Sequence, residues 1–558
     1  MGRIVQSKTL RIILYFSLFF VAFAVIIWIL LNVYFNKQII KYVKEQVSES
    51  SNDKYILSLE GLSINLWTQS ITIDNLIIAP SKNGVHPKAQ YVFKAKTLRI
   101  INFSISSYFR KNDLIIEKLE CEEPQISIFQ GYERYPQKNI DSVLDNFSIY
   151  STFSKKLNSI SIGNIDIMNS KFHIYKNGTD TLSVFSSSDN SISIKHFNVN
   201  KETDEENKLF SAEKFEVVMN KFSYQLDDGM YMLYGKSLYA SYKDSTLIVD
   251  SLQLVPNLNK KDFAEEAGRQ ISRVNFISSK VVCQQMDVQL FFEYNWLIIH
   301  KINVLGCGIK IYRDNTLPLA PIIRESPQAM LKNLSFFVAV DTIEMKDGDI
   351  VYEERNANQT SSEKITINKI NGIITGINND TLLYSDKSNI KAEVTANFMN
   401  QGKYTGTYTF PLSSTKEYFF ASGTLSSMSM TAFNSVIPAP KKLKFISGEL
   451  ESATFSYVAD DQSSNGTMKF IYHDLKIEVL NKEQEQVQLI DKIKTLVANE
   501  LIIFNSNPGK DGIVRTSPIH AEHNRYRYFI FYSMQSILSG ITSAIQDEKA
   551  AKLLTKKK

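Results

Sequence analysis

The chain has 558 residues, more than one hydrophobic core usually organises, so several domains or an extended repeat are expected. Hydrophobic residues make up 44% and charged residues 22%, an ordinary balance for a folded protein, and the net charge is a mild +5. No run of five like charges occurs, so the sequence carries no electrostatic footprint for a nucleic-acid partner.

The first element is Ile12–Phe35, "IILYFSLFFVAFAVIIWILLNVYF", with one Asn and no charge among 24 residues. At about 1.5 Å per residue it measures roughly 36 Å, enough for a hydrocarbon core of about 30 Å. The run exceeds a signal-peptide core of about 7–15 residues, and no small-x-small cleavage site follows. Trp28 and Tyr34 suit an interfacial position near its far end. Residues 12–35 are therefore expected as an uncleaved transmembrane anchor and residues 1–11 as a basic cytoplasmic tail. Arg3, Lys8 and Arg11 before the span nearly balance Lys37, Lys41 and Lys44 after it, so orientation rests on the short basic N-terminus. The rest of the chain then forms one large body across the membrane.

From Lys54 to about Val479 the dominant period is two, as in "SITIDNLII" (Ser70–Ile78), "SISIGNIDI" (Ser159–Ile167) and "SATFSYV" (Ser452–Val458). Pairs such as Asn177-Gly178 and Asp347-Gly348 punctuate the strands. Helical patterns are few: Ile140–Phe147, Lys261–Arg269, Glu483–Glu500 and one at the C-terminus. The expected fold is mainly β, an antiparallel sheet with one apolar face.

Four phrases recur in order. "ITIDNLIIAP" (Ile71–Pro80) returns as "LIVDSLQLVP" (Leu247–Pro256), offset by 176. "LIIEKLECEEPQISIF" (Leu114–Phe129) returns as "LIIHKINVLGCGIKIY" (Leu297–Tyr312), offset by 183. "IDIMNSKFHI" (Ile165–Ile174) returns as "IEMKDGDIVY" (Ile343–Tyr352), offset by 178, and "ISIKHF" (Ile192–Phe197) as "ITINKI" (Ile365–Ile370), offset by 173. The order implies an internal duplication, residues 55–225 and 235–380, followed by a C-terminal β region at 381–524 containing the helix near 483–500.

A finer unit lies within each copy. Leu119, Cys121, Ile126 and Ile128 align with Ile165, Ile167, Phe172 and Ile174, and Ile302, Val304, Ile309 and Ile311 align with Ile343, Met345, Ile350 and Tyr352. Each reads as a hairpin, strand, four-residue break and strand, with its apolar residues on one face. Together with Ile71, Ile73, Leu76, Leu247, Val249 and Leu252, these positions are the candidate lining of a shared apolar surface. Either a second sheet buries that surface, or the sheet curls into a trough that something apolar occupies.

The anchor followed by "LSLEGLSINLWTQSITIDNLIIAP" (Leu57–Pro80) resembles the start of AsmA-like proteins, the group that includes AsmA, TamB and YhdP. The phrases "IEKLECEEPQISIF" (Ile116–Phe129) and "IGNIDIMNSKFHIY" (Ile162–Tyr175) are similar to that family's repeating unit. So are "FISGELESATFSY" (Phe445–Tyr457), "GTMKFIYHDLKIEVL" (Gly466–Leu480) and "YFIFYSMQSILSGI" (Tyr528–Ile541) to its C-terminal region. The resemblance implies an elongated, twisted repeating β-groove, held in the bacterial inner membrane by a single pass and projecting into the periplasm. It implies phospholipids as the bound partner, outer-membrane maintenance as the role, and the outer membrane or an envelope protein at the far end. A scaffold that assembles envelope proteins by strand addition is the alternative, and an enzyme on a β-sandwich the third reading.

Little points to catalysis. His520-x-x-His523 is the sole histidine cluster and lacks the spacing of two ligands one helical turn apart. Asp74 and Asp250 sit at equivalent repeat positions, where a turn or edge role fits better than paired-acid chemistry. Neither a metal nor a cofactor is expected. Cys121, Cys283 and Cys307 read as small buried hydrophobes, although a hairpin could bring Cys283 and Cys307 into disulfide reach.

At the end of the chain, residues 525–546 turn helical. Ile530, Met534, Ile537 and Ile541 form a stripe, widened by Phe531, Leu538 and Ile545. Such a stripe suits a helix that caps the last strands, or one that touches a membrane or partner.

Overall fold

The computed structural model describes residues 36–546 except 66, 82–88, 131–148, 177–182, 207, 209, 227–228, 357–362, 415, 437–442 and 480–503. The expected anchor at 12–35, the tail at 1–11 and the helices at Ile140–Phe147 and Glu483–Glu500 lie outside the described residues. Among the described residues no helix is long and apolar enough to cross a membrane. What is described is mainly β, 21 strands of mixed direction with few helices. The chain divides into two compact units, the first running to Gln225 and including Lys236–Asp244, the second comprising Leu226–Gly235 and the chain from Ser245 onward.

The first unit opens with helix α1 (Asn36–Ser50) and the short strands β1 (Tyr55–Ser58) and β2 (Gly61–Asn65), which both pair with β3 (Ser70–Pro80). Next come β4 (Ala89–Phe103), α2 (Ile105–Lys111), β5 (Asp113–Glu122) and β6 (Gln125–Gln130). They are followed by α3 (Ile149–Phe153), β7 (Ser159–Tyr175), β8 (Ser183–Asn200), α4 (Lys201–Glu205) and β9 (Lys214–Gln225).

The expected hairpin of β5 and β6 is not formed. Both strands run antiparallel to β4 and parallel to β7, so they are one strand interrupted at Glu123-Pro124. Pro124 has no N–H to give to a ladder, and Glu123 is left-handed with φ 49°, the conditions for a bulge rather than a turn. The true connection is the long stretch from β6 to β7, and a crossover of that length permits parallel pairing.

In the second unit β10 (Tyr231–Ser241), which straddles the division, precedes β11 (Thr246–Pro256), α5 (Lys260–Ala267), β12 (Arg273–Met286), α6 (Val288–Tyr294) and β13 (Leu297–Asp314). After α7 (Pro327–Lys332), β14 (Val338–Arg355) lies parallel to β13. The sheet continues antiparallel through β15 (Glu363–Asn378), β16 (Asn389–Phe398), β17 (Gly402–Pro411) and β18 (Tyr418–Ser429). It ends with β19 (Leu443–Asp460), β20 (Ser463–Val479) and β21 (Thr516–Glu522). The phrases Ile302–Ile311 and Ile343–Tyr352 are again single kinked strands, so a mixed sheet replaces the antiparallel one expected. Helix α5 forms where the sequence placed it, capped by the Asn259 side chain and by left-handed Gly268.

The backbone repeats with the same offsets as the sequence phrases. Left-handed Gln69 and Asn75 match Ser245 and Ser251, and Asn102, Asn112 and Glu123 match Gln285, Asn295 and Gly306. Asn169 matches Asp347, and His196 matches Lys369. In a strand such a residue inserts one extra position. Ile73 and Leu76, Cys121 and Ile126, and Ile167 and Phe172 are odd distances apart, and plain alternation would put the members of each pair on opposite faces. The bulge restores them to one face. A second odd step, Ile162 to Ile165, falls at Gly163, where a Cβ would come within 2.7 Å of the Glu117 carbonyl oxygen.

At the C-terminal end the apolar face is filled. Register places Ala392, Tyr408, Ala421, Tyr457, Gly466 and Ile519 side by side across β16–β21, small beside large. Helix α8 (Phe529–Ile545) lies on this end, and Tyr532, Ser533, Ser536, Gly540, Ile541, Ala544 and Ile545 face inward. Of the expected stripe and the residues that widen it, Leu538, Ile541 and Ile545 are buried. Met534 and Ile537 flank the contact, and Ile530 is 61% exposed. Small residues join the aliphatic ones in the contact because the helix sits close to the sheet: a Cβ on Gly540 would stand 2.8 Å from Ile519 Cγ1. Ser533 Oγ meets Tyr457 OH at 2.8 Å and Tyr408 OH at 3.1 Å, and Ser536 Oγ donates to Ser464 Oγ at 2.8 Å.

This packing makes Gly540→Val a destabilising change of about 1–3 kcal/mol by overpacking, whereas Ile530→Ser should stay within about 0.5 kcal/mol. Chemical denaturation followed by near-ultraviolet circular dichroism would measure both, and equal losses would refute the helix orientation.

Candidate apolar groove

In the first unit the apolar side chains stand in rows across the strands. One row is Ile71, Ile100, Leu119, Ile165, Ile194 and Phe215, and the next is Ile73, Leu98, Cys121, Ile167, Ile192 and Val217. Beyond the bulges, Leu57, Ile78, Phe93, Ile126 and Phe172 form a third row, and Tyr91, Ile128, Ile174 and Phe185 a fourth. All belong to one face, because Leu76, Ala95 and Cys121 pack with Ile73, Phe93 and Ile167 across the bulge line.

This face is only partly sheltered. Leu57, Leu76, Cys121, Ile165 and Ile194 are buried, but Ile71, Ile73, Ile128, Ile167, Phe172 and Ile174 are half-buried, and Ile126 is 38% exposed. Its packing clusters draw on neighbouring strands, with Val47 of α1 over the first of them. Residues between two stacked sheets would be closed to solvent on both sides. The half-exposure therefore fits an open apolar surface.

The reverse face is polar and ion-paired. Its row reads Thr72, Arg99, Glu120, Asp166, Ser193 and Glu216. Arg99 reaches Glu122 at 2.9 Å, Lys118 reaches Glu120 at 2.7 Å and Asp166 at 3.1 Å, and Lys214 reaches Glu216 at 2.8 Å. The hydrogen bond from Lys118 holds the Glu120 carboxyl below its ordinary range. Such exposed pairs contribute about 0–1 kcal/mol each, so their consequence is which face meets water. Asp74 lies on this side with Thr97 Oγ1 at 3.4 Å, and Asp250 stands 3.8 Å from Lys280. His173 belongs to it as well, between Ser127 and Ser186 in register.

The second unit repeats the pattern in its first strands. Leu247, Cys283, Ile302, Ile343 and Ile374 form one row, and Val249, Val281, Val304 and Met345 another. Val274, Ile311 and Tyr352 align, as do Phe276, Ile309, Ile350 and Ile367, while Leu252 faces Ser278. Tyr352 is not part of an open wall. Its ring packs against the C-terminal core, and its hydroxyl bonds Glu354 and accepts from Arg527 Nη1 at 3.2 Å. On the reverse face Lys301 and Lys346 both bond Glu344 and hold its carboxyl down to about 2.

A hollow of about 670 Å³ lies over β14–β19, at a line of positions without side chains, Gly372, Gly406 and Gly423. Thr395, Thr405, Ser422 and Thr424 contribute hydroxyls to its wall, with Glu344, Lys346 and Glu393 beside them. His520 Nδ1 lies 2.8 Å from Asn465, and the His523 ring stacks on Tyr532 with centroids 4.1 Å apart, so the two histidines do not converge. Among the described residues no group of three or more His, Cys, Asp or Glu side chains could hold a metal ion.

The Cys283–Cys307 disulfide does not form. Strands β12 and β13 do pair, but Cys283 stands opposite Ile302 and Cys307 opposite Ser278, out of register with each other. All three cysteines are free and buried. Burial pushes the Cys121 and Cys283 thiols up to about 11. No family model and no curated protein matches the chain.

The thiols should therefore be silent toward a water-soluble disulfide reagent at pH 8 in the native protein and react as three on denaturation. Because the folded values of Cys121 and Cys283 are raised, their contribution to stability is intact below the ordinary thiol range near 9 and is lost as pH rises toward about 11. A triple Cys→Ser variant should lack that part of the alkaline loss, as read by denaturation midpoints across the window.

Proposed function

We propose that the protein is a bacterial inner-membrane-anchored, periplasmic protein that binds and conducts phospholipids along an elongated apolar β-groove, in the service of outer-membrane maintenance. The observation that carries this reading is the half-exposed apolar face of the first unit, backed by a face of ion pairs. An open apolar surface of this extent is stable in water when something apolar lies on it. An acyl chain meets that need, each sheltered CH₂ contributing about 0.8 kcal/mol, while its head group stays in water. The side chains facing the groove are Ile, Val, Leu and Phe with few polar stops, a lining along which a chain can slide. The 24-residue uncharged run at Ile12–Phe35 supports the anchor. The resemblance to AsmA-like proteins supports the compartment and the cargo.

Photo-crosslinking tests the reading in cells. A photoreactive residue at Ile126, Ile167, Phe172 or Ile309 should capture phospholipid, while one at His173 or Lys310 on the reverse face should not. Phe172→Arg or Ile309→Arg should block passage by placing a charge in the groove. Equal capture from both faces would refute the groove. Capture of envelope protein in place of lipid would move the function to a scaffold that works by strand addition.

A further inference from the structure

One end of the first unit carries large apolar side chains that stand open to solvent. Trp67, in the β2–β3 turn, is 98% exposed. In helix α2 no residue is buried: Phe109 is 77% exposed, Tyr108 46% and Ile105 36%. Tyr108 and Phe109 touch only edge to face, with centroids 5.2 Å apart. Arg110 and Lys111 close the same helix, and Lys155 and Lys156 are exposed in the approach to β7.

These pieces converge. Phe103, at the start of the α2 connection, donates its N–H to the Gln69 carbonyl at 3.1 Å, which sets the Trp67 turn beside α2. Asn158 binds the Asn112 carbonyl at 2.8 Å and the Lys111 carbonyl at 2.7 Å, which adds the Lys155–Lys156 segment. Lys156 Nζ reaches Gln46 Oε1 in α1 at 3.2 Å. Helix α1 runs back from Ser50 through Gln46, and Asn36 lies ten residues further along, about 15 Å of helix. Its first residue directly follows the uncharged Ile12–Phe35 run in the sequence, and Lys37, Lys41 and Lys44 add positive charge.

We propose that this end, Trp67 with Tyr108, Phe109, Arg110 and Lys111, docks into the interface of the anionic phospholipid bilayer that holds the anchor. Aromatic rings beside cations are the chemistry of that interface, apolar body inward and charge toward the head groups. The duplication provides an internal comparison. Helix α6 occupies the equivalent place in the second unit, where the chain does not follow the anchor, and there Arg110-Lys111 is replaced by Glu293-Tyr294. Docking has a consequence for the groove: the row Phe103, Ile116, Ile162 and Phe197 ends at this side of the apolar face, so acyl chains would pass onto it from the bilayer without crossing water.

The inference rests on the anchorage proposed above but not on the lipid cargo. Its test uses the full-length chain with Trp28→Phe and Trp296→Phe, leaving Trp67 as the single tryptophan, reconstituted in phosphatidylethanolamine–phosphatidylglycerol vesicles. Trp67 emission should be blue-shifted and quenched by lipids brominated near the head group. Arg110→Glu with Lys111→Glu should remove at least half of the quenching, while crosslinking at Ile167 measures the groove separately. A chain extracted from the vesicles by carbonate would overturn the anchorage and the docking together. A retained chain with unquenched, solvent-exposed Trp67 would overturn the docking alone, and unquenched Trp67 shielded by self-association would assign the surface to a second copy.

Discussion

A β-strand shows its side chains to alternate faces, and each long strand in this protein must nevertheless keep one face apolar across a change of direction. Everything else depends on how that parity is kept. The solution is an inserted left-handed residue, often Asn, Asp or Ser, at which the strand gains one position and the apolar series resumes on the same side. Because the insertions fall at matching places in neighbouring strands, rows such as Ile71–Ile100–Leu119–Ile165–Ile194 align across them. A strand without its bulge would turn half of its isoleucines toward Glu120 and Asp166.

The same face has two fates. In the first unit the Ile and Leu rows are part buried and part half-exposed, with Val47 of α1 over the first strands. Around β16–β21 the residues become Phe, Tyr and Met interleaved with Gly and Ala, and α8 closes over them through small side chains. Beneath the helix the hydroxyls of Tyr408 and Tyr457 meet Ser533, and Ser536 donates to Ser464, which gives these polar atoms partners in a dry core. An open aliphatic surface and a filled aromatic core thus arise from one strand grammar with different side-chain volumes.

The two ends of the first unit's chemistry also separate cleanly. Ion pairs such as Lys118–Asp166 sit on the reverse face, where solvent screens them and they add little stability. Arg110 and Lys111, with the exposed Lys155 and Lys156, stand with Trp67 and Phe109 at the α2 end, beyond the strand ladders. Charge on the sheet sets which side meets water, and charge at the end is placed beside exposed rings.

Much of this was legible in the residues alone. Alternation of β-branched residues identified strands, the recurring phrases marked the offsets at which left-handed residues return, and i, i+2 spacing put Ile126 with Ile128 and Phe172 with Ile174. The helical pattern at Lys261–Arg269 marked α5, which the structure ends at Ala267 with Gly268 as its cap. What the sequence could not decide was anything that depends on a neighbour distant in the chain. A four-residue break reads alike as a turn or a bulge, and only the pairing partners, β4 on one side and β7 on the other, make Glu123-Pro124 a bulge and the sheet mixed. Helical spacing showed that α8 has an apolar stripe, but the close approach to Ile519 requires Gly540 at the contact, and Ile530 is left outside. Local pattern determines which residues share a face. Hydrogen-bond partners and close approach determine what that face meets.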